Sequence, residues 1–418
     1  MGTLDPNAMP DGNPLTAVHF HQTDPGTRFA KDPGVAIDLD TPLDSTRILT
    51  PNVVRLPEGG YRMYYTGRGP AHPDPDAIGY VLSAHSDDAD TWIKDPGIRI
   101  DLHSPRATTR TLCPDVVPLP DGTWRMYYEA RSGDAPTTIL SAVSDNGLQW
   151  ETEEGIRIGD GAWSYGTPRL IYLEDGRSRL YFHRYTHPLS YELNAGNHII
   201  SAISSNGLEF TMEEGVRIAQ ETARETFSVY APEVIRLGDG SYRMYYAAWT
   251  RDIPGGIFTA TSSDGLTWVK DPEICIELDV PFDIDMVSEP CITELPDGRP
   301  RLFYEARDRE GNCRILSATG GDCKQREEAA ASMLPLIGAL FRNSGVVTTV
   351  DGHSLAHGSA IDILKALRFA RQIISDELSV FSSLTVVQAL GALERSPARI
   401  DSGKLTTPLP ARRRQRYS

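Results

Sequence analysis

The sequence has little that would place it in a membrane or on a nucleic acid. It contains no run of about 18 apolar residues, the length a bilayer crossing requires. Its first residues, "MGTLDPNAMPDGNPLTAV", carry neither a basic n-region nor an apolar h-region. We therefore expect no membrane span, no secretory leader and a cytoplasmic protein. Positive charge is scarce as well: Lys and Arg number 41 against 57 Asp and Glu, a formal net charge of −16. A nucleic-acid partner would demand a basic footprint, and only the last residues, "ARRRQRYS", are locally basic. The expected partner is a small-molecule substrate, with no nucleic acid and no membrane. Cysteine is sparse and unpaired in spacing, since Cys113, Cys275, Cys291, Cys313 and Cys323 form no C-x-x-C motif. That excludes a disulfide framework or a zinc site as the expectation and leaves reduced, mostly buried thiols.

What the chain has in abundance is repetition. "GGYRMYYTGR" (59–68), "GTWRMYYEAR" (122–131), "RSRLYFHRY" (177–185), "GSYRMYYAAW" (240–249) and "RPRLFYEAR" (299–307) are variants of one strand. Each is preceded by a short strand beginning at a proline: "TPNVVRL", "CPDVVPL", "TPRLIYL", "APEVIRL" and "EPCITEL". Asp-Gly or Glu-Gly turns join the two and supply the positive φ that tight hairpins need. A third strand then runs into a turn before an aromatic, as in "SAVSDNGLQW" and "TATSSDGLTW", and a short fourth strand such as "GIRI" follows. Trp92, Trp150, Phe210 and Trp268 stand 58, 60 and 58 residues apart. Four antiparallel strands per unit at a steady period define the blade of a β-propeller.

The fifth unit lacks its aromatic turn and fourth strand after "CRILSATGGD" (313–322). The missing piece stands at the other end of the chain, where "DPGTRFAKDPGVAIDL" (24–39) matches "SDGLTWVKDPEICIEL" (263–278) almost position for position. We predict an all-β, five-bladed propeller over residues 17–322, closed by the N-terminal strand so that no sheet edge is left at the seam. Residues 1–16 are expected to be disordered. Beyond the ring, "GSAIDILKALRFARQII" and "SSLTVVQALGALER" have helical periodicity, which predicts a C-terminal helical appendage over 323–403. Those helices are candidates for mediating oligomerisation, and 404–418 is expected to be a disordered basic tail. The stretch around "VVTTVDGHSLAHGSAIDILKALRFARQI" faintly resembles the C-terminal part of an amidohydrolase barrel, which would make Asp351 a metal ligand. No H-x-H motif accompanies it and the segment is too short for such a barrel, so we read it as a packing or interaction element.

In a blade, the start of the innermost strand and the end of the second strand return to one mouth of the ring. Two sets of positions are therefore expected to converge there. The inner strands offer Asn52, Asp115, Arg169, Glu233 and Cys291, with Glu289 just before its proline. The second strands offer Thr66 and Arg68, Glu129 and Arg131, His183 and Tyr185, Ala247 and Trp249, and Glu305 and Arg307. These positions diverge into charged and aromatic types while the frame stays constant, the pattern of a site grafted on a repeat.

On the R-M/L-Y-Y strands and S-x-D-G-x-x-W turns the chain resembles the five-bladed propeller glycosidases and their relatives, among them arabinanases, xylosidases, invertases, levansucrases and mannoside phosphorylases. The resemblance covers the propeller and implies acid–base cleavage of a glycosidic bond by two carboxyl groups. It also implies that these come from inner strands: an aspartate in blade one, an aspartate in blade two and a glutamate in blade three. Asp115 matches the second, whereas Asn52 and Arg169 stand at the other two. A displaced pair is the expectation, Asp115 as base or nucleophile and Glu233 as acid, with Glu289 a third catalytic carboxyl and Arg169 binding an anion or modulating a pKa. The remaining substrate-binding candidates are Asn52, Arg68, Glu129, Arg131, His183, Tyr185, Trp249, Glu305 and Arg307. Four arginines favour a carboxylate- or phosphate-bearing substrate, or phosphorolysis. Trp249 and Tyr185 are placed to stack on a flat face.

The bland readings stand beside these. The channel charges would neutralise one another, and Glu305 with Arg307, or Glu129 with Arg131, would be strand-face ion pairs. His183 would be a polar lining group. No catalytic metal or cofactor is expected; a structural calcium ion or a water in the channel is left open. Two other functions remain as alternatives: a repurposed propeller catalysing a non-glycosidic biosynthetic step, and a non-catalytic ligand-binding module.

Overall fold

A computed structural model describes residues 20–75, 77–185, 197–250, 255–278 and 282–321, with the strand pair Val347–Thr348 and Leu355–Ala356. The chain divides into two units, 1–323 and 324–418. The predicted helices, the N-terminal 1–16 segment, the basic tail, Asp351 and Cys323 lie outside the described residues. Among the described residues there is no helix, hence none long and apolar enough to cross a membrane.

The first unit is a five-bladed β-propeller. Its inner strands are Arg47–Arg55, Arg110–Pro118, Ser164–Tyr172, Ser228–Leu237 and Met286–Glu294. The second strands are Tyr61–Arg68, Trp124–Arg131, Ser178–Tyr185, Tyr242–Trp249 and Pro300–Arg307. Third and short outer strands complete four blades in sequence order. In blade five the outer strand is Phe29–Lys31, paired antiparallel to Cys313–Gly320 in the register Phe29↔Gly320, Ala30↔Thr319 and Lys31↔Ala318. The N-terminal segment thus closes the ring, as the sequence match predicts. A further strand, Phe20–His21, runs parallel to the end of the blade-four inner strand.

Apolar side chains form no single central core. They form one cluster between each pair of neighbouring blades, because both faces of the blade sheets are covered. Met63 and Tyr65 pack toward blade five, for example, while Tyr64 packs toward blade two. That double burial is why the second strand reads as an unbroken aromatic run and does not alternate with polar residues.

The arginine of the R-M-Y-Y strand is frame, and its repetition has one cause. Arg62, Arg125, Arg179, Arg243 and Arg301 meet Asp95, Glu153, Glu213, Asp271 and Asp32 at 3.4, 2.8, 2.8, 2.6 and 3.2 Å. Each acid follows its blade's outer strand and also accepts a hydroxyl from the third strand, as Ser141 gives Glu153 at 2.7 Å. Asp32 reaches blade five from the N-terminal segment, so the closing strand brings the same chemistry as its counterparts. Lys31, Lys94 and Lys270 likewise pair with the fully buried Asp283, Asp44 and Glu225.

Successive blades are tied by the tyrosine two positions after that arginine. Tyr64, Tyr127, Tyr181 and Tyr245 donate to the carbonyls of Gly147, Gly207, Gly265 and Gly26, at 2.8 to 2.9 Å. Those glycines hold φ near +70°. The corresponding turn of blade one has Ala89 at φ 60°, where a Cβ costs about 1 kcal/mol. Ala89→Gly is therefore expected to stabilise the protein by about 0.5–1 kcal/mol, read as a rise in the urea midpoint; a fall would show that the turn gains nothing from glycine.

Candidate active site

The inner strands do not begin at their prolines. Each starts four residues earlier and carries a β-bulge at the X-Pro step, with register breaks at Leu49/Asn52, Leu112/Asp115, Gly166/Arg169, Tyr230/Glu233 and Ser288/Cys291. Proline has no N–H for the ladder and is accommodated where pairing is interrupted. The residue before it, Thr50, Cys113, Thr167, Ala231 or Glu289, is left-handed, with φ between 48 and 55°. All five blades share this strained geometry, so the bulge belongs to the frame and the side chain it carries is what varies.

Below the bulges lies a ring of five residues that follow the prolines: Asn52, Asp115, Arg169, Glu233 and Cys291, all buried. Each ties its own blade to the next. Asn52 Oδ1 accepts from Val116 N (3.0 Å), Asp115 Oδ2 from Leu170 N (2.7 Å), Glu233 Oε1 from Ile292 N (3.0 Å), and Cys291 Sγ from Val53 N (3.2 Å). Asn52 Nδ2 also donates to Asp115 Oδ1 at 3.2 Å. Blade three breaks the pattern, because Arg169 has no acceptor. Its Nε instead donates to Glu233 Oε2 (2.8 Å), Nη1 to the carbonyls of Pro114 and Pro168, and Nη2 to the carbonyl of Pro51. Burial pushes Asp115 up to about 7 and raises Glu233, with Arg169 opposing both shifts.

Above this ring, bulge residues and second-strand residues face one another at the mouth. The register sets Leu49 against Thr66, Leu112 against Glu129, Gly166 against His183, Tyr230 against Ala247 and Ser288 against Glu305. Two kinds of surface result.

Blades three and four give a neutral, aromatic side. His183 is buried, its Nδ1 is 2.7 Å from Thr167 Oγ1, and burial with the nearby Arg110 charge lowers its pKa to about 3. It is a neutral lining group, edge-on to Tyr185 and Tyr230. Trp249 packs edge-to-face on Tyr230 (6.0 Å) beside Ala231 and Ala247.

Blades five, one and two carry charge. Glu289 projects from its bulge with Oε2 shielded from solvent and without a hydrogen-bond partner. Burial raises its pKa well above the carboxylate range, and the neighbouring Glu305 and Glu129 raise it further. Glu305 is pushed up to about 7 by burial, against the pull of Arg47 and Arg307. Glu129, 1% exposed on its side chain, is ion-paired through Oε1 with Arg110 Nη2 at 2.5 Å. Its other oxygen fills the space beside Gly166, where a Cβ would come within 2.2 Å of Oε2. Cys113, 3.7 Å from Glu129 Oε2, is held as a thiol by burial and that charge.

The strand-face pairs expected from "YYEAR" and "FYEAR" do not form. Arg307 binds Asp285 (2.6 Å), Glu129 binds Arg110, and Glu305 lies beside Arg47. Residues two apart share a strand face, but for Glu129 the diagonal cross-strand neighbour Arg110 comes closer, and for Glu305 a guanidinium comes from the inner strand of the adjoining blade one. Arg47 and Arg110 were not among the predicted site residues. Their signal was present in the sequence, since "TRILTP" (46–51) and "TRTLCP" (109–114) repeat the T-R-x-L-x-P pattern in blades one and two alone. Tyr230, whose hydroxyl is 2.6 Å from Ser288 Oγ, was also missed.

Glu305 makes the site's proton inventory measurable. Its unfolded value is near 4.5 and its folded value about 7, so the folded state holds the proton longer and stability falls as pH rises through that window. We expect Glu305→Gln to match the wild type near pH 4 and exceed it in melting temperature at pH 8. An unchanged difference across that range would show that Glu305 ionises normally.

Fold and mouth together define a class: a five-bladed propeller with clustered carboxyls at one end of its channel, whose structural neighbours are glycoside hydrolases. One solved glycoside hydrolase superposes with a TM-score of 0.58 at 16% identity, over 70% of this chain and 92% of the other. An endo-arabinase from Bacteroides thetaiotaomicron gives 0.53 at 16%, over 69% and 97%. A structure titled for a family of mannoside phosphorylases containing glycoside hydrolases that target β-1,2 mannosidic linkages gives 0.56 at 13%, over 70% and 93%. At these identities the likeness establishes the fold. No family model matches the chain. A glyceraldehyde-3-phosphate dehydrogenase-like protein of Pseudomonas aeruginosa is 42% identical over 81 residues, 19% of this chain and 18% of that protein. The chain thus spans under a fifth of the length of this curated relative.

Proposed function

We propose that the propeller is a glycosidase-like enzyme acting on a small, anionic or phosphate-assisted, sugar-containing substrate by carboxylate acid–base catalysis. We place it in the cytoplasm and without a cofactor. The observation that supports this most is Glu289, a carboxyl at the bulge whose Oε2 is shielded from solvent without a hydrogen-bond partner among the described residues, and whose proton affinity is raised by burial and by two neighbouring glutamates. In this reading Glu289 is the general acid, and Glu129, ion-paired with Arg110, is the base or nucleophile. Glu305 sets the proton affinity of Glu289. Asp115 and Glu233, whose oxygens accept backbone amides of the next blade, serve to hold the ring.

The test is a turnover screen of the wild-type protein on aryl glycosides, with neutral and acidic sugars, and on glycosyl phosphates. Release of the aglycone or phosphate is expected. Inactivity on all of them, together with tight binding of a non-sugar metabolite, would move the assignment to a non-glycosidic reaction on the same frame.

A further inference from the structure

Arg47 and Arg68 are direct cross-strand partners in blade one, and Arg110 and Arg131 are the same pair in blade two. Like charges directly opposite each other destabilise a sheet, and here the arrangement occurs twice, at the same register position of adjacent blades. The equivalent pairs elsewhere are Ser164 with Tyr185, Ser228 with Trp249, and Met286 with Arg307, so the frame does not require it. Arg110 is offset by Glu129, and Arg47 lies beside Glu305 and Glu289. Arg68 and Arg131 have no ion-paired carboxylate among the described residues, although both are half-buried. Arg131 Nε is shielded from solvent without a hydrogen-bond partner. Glu129 and Asp134 act on Arg131 from beyond ion-pair distance, so two guanidiniums without an ion pair among the described residues stand on the charged side of the mouth, opposite the Tyr230 and Trp249 wall.

We propose that Arg68 and Arg131 bind an anionic group carried by the substrate itself, so that the ligand is an acidic sugar. Its ring lies toward Trp249 and its carboxylate or phosphate ester lies toward blades one and two. The proposal rests on the glycosidase-like reading only for the sugar; the anion site stands without it. Guanidinium suits either oxyanion, because its planar donors match carboxylate and phosphate alike.

The experiment is calorimetric titration of the full-length protein with glucuronate, glucose 6-phosphate, glucose and inorganic phosphate, repeated on Arg68→Gln and Arg131→Gln. We expect one or both acidic sugars to bind at least tenfold more tightly than glucose, and each arginine variant to lose about tenfold or more of that advantage. Preference for glucuronate identifies a carboxylate, and preference for glucose 6-phosphate a phosphate ester. Equal binding of inorganic phosphate and glucose 6-phosphate, with glucuronate no better than glucose, would overturn the proposal in favour of a site for free phosphate. Equal affinity for all sugars, or arginine variants that bind normally, would overturn it outright. If the wild type binds acidic sugars and turns over no glycoside, the catalytic reading fails while the anion site remains.

Discussion

Glu289→Gln is expected to lower kcat by about 10²- to 10⁴-fold, the usual contribution of a positioned general acid, while leaving the melting temperature unchanged or raised. Glutamine keeps the shape of the side chain and lacks the transferable proton. The fold should tolerate it because the folded protein already holds this carboxyl neutral, through burial and the adjacent Glu305 and Glu129. Removing an ionisable group that resists ionisation relieves the carboxyl cluster, which sets the sign of the stability change. Measured on any glycoside the wild type cleaves, with melting followed in parallel, wild-type turnover in a folded Glu289→Gln protein would remove Glu289 from the mechanism. Asp115→Asn and Glu233→Gln supply the contrast. Each should keep measurable turnover if it folds, and loss of activity in both with Glu289→Gln active would return the acid–base pair to the inner ring.

The largest expected stability effect belongs to Arg169→Met, about 3–5 kcal/mol, the range for removing one partner of a buried ion pair. Four donated hydrogen bonds would be lost at once, to Glu233 and to the carbonyls of three prolines in blades one, two and three. Glu233 and Asp115 would remain buried with one shared countercharge gone. Urea unfolding followed by tryptophan fluorescence measures the loss, and a midpoint shift equivalent to under about 1 kcal/mol would mean that Arg169 does not hold the ring. The double variant Arg169→Met with Glu233→Met should recover part of it, since replacing both buried charges by apolar groups of similar volume is far cheaper than stranding one.

The frame was legible residue by residue. The R-M-Y-Y strands, the Asp-Gly turns and the matching "KDP" segments each recur because every blade must solve the same problem of pairing an arginine, packing an aromatic and closing a hairpin. The displaced copy at residues 24–39 was enough to predict closure, because an unpartnered third strand in blade five needed its edge covered. The candidate site was legible only in part: the sequence marked positions on the inner and second strands, but it did not mark Arg47, Arg110 or Tyr230, nor the role of each charge. Asp115 and Glu289 sit two steps apart around the same proline motif, and nothing in their spacing says that one faces a backbone amide and the other the mouth.

Fold class and blade number were thus determined by the sequence itself, because a regular repeat of four strands per unit and the displaced N-terminal copy leave one way to close the sheets. Tertiary structure decided what each charge does. Whether a carboxylate is a ring tie, as with Glu233, or a proton store, as with Glu289, depends on which blade lies beside it and on what that blade presents. Ionisation is set by burial and by charges brought near from distant parts of the chain, and only the closed ring brings Arg47 and Glu129 close enough to set the proton affinity of Glu289.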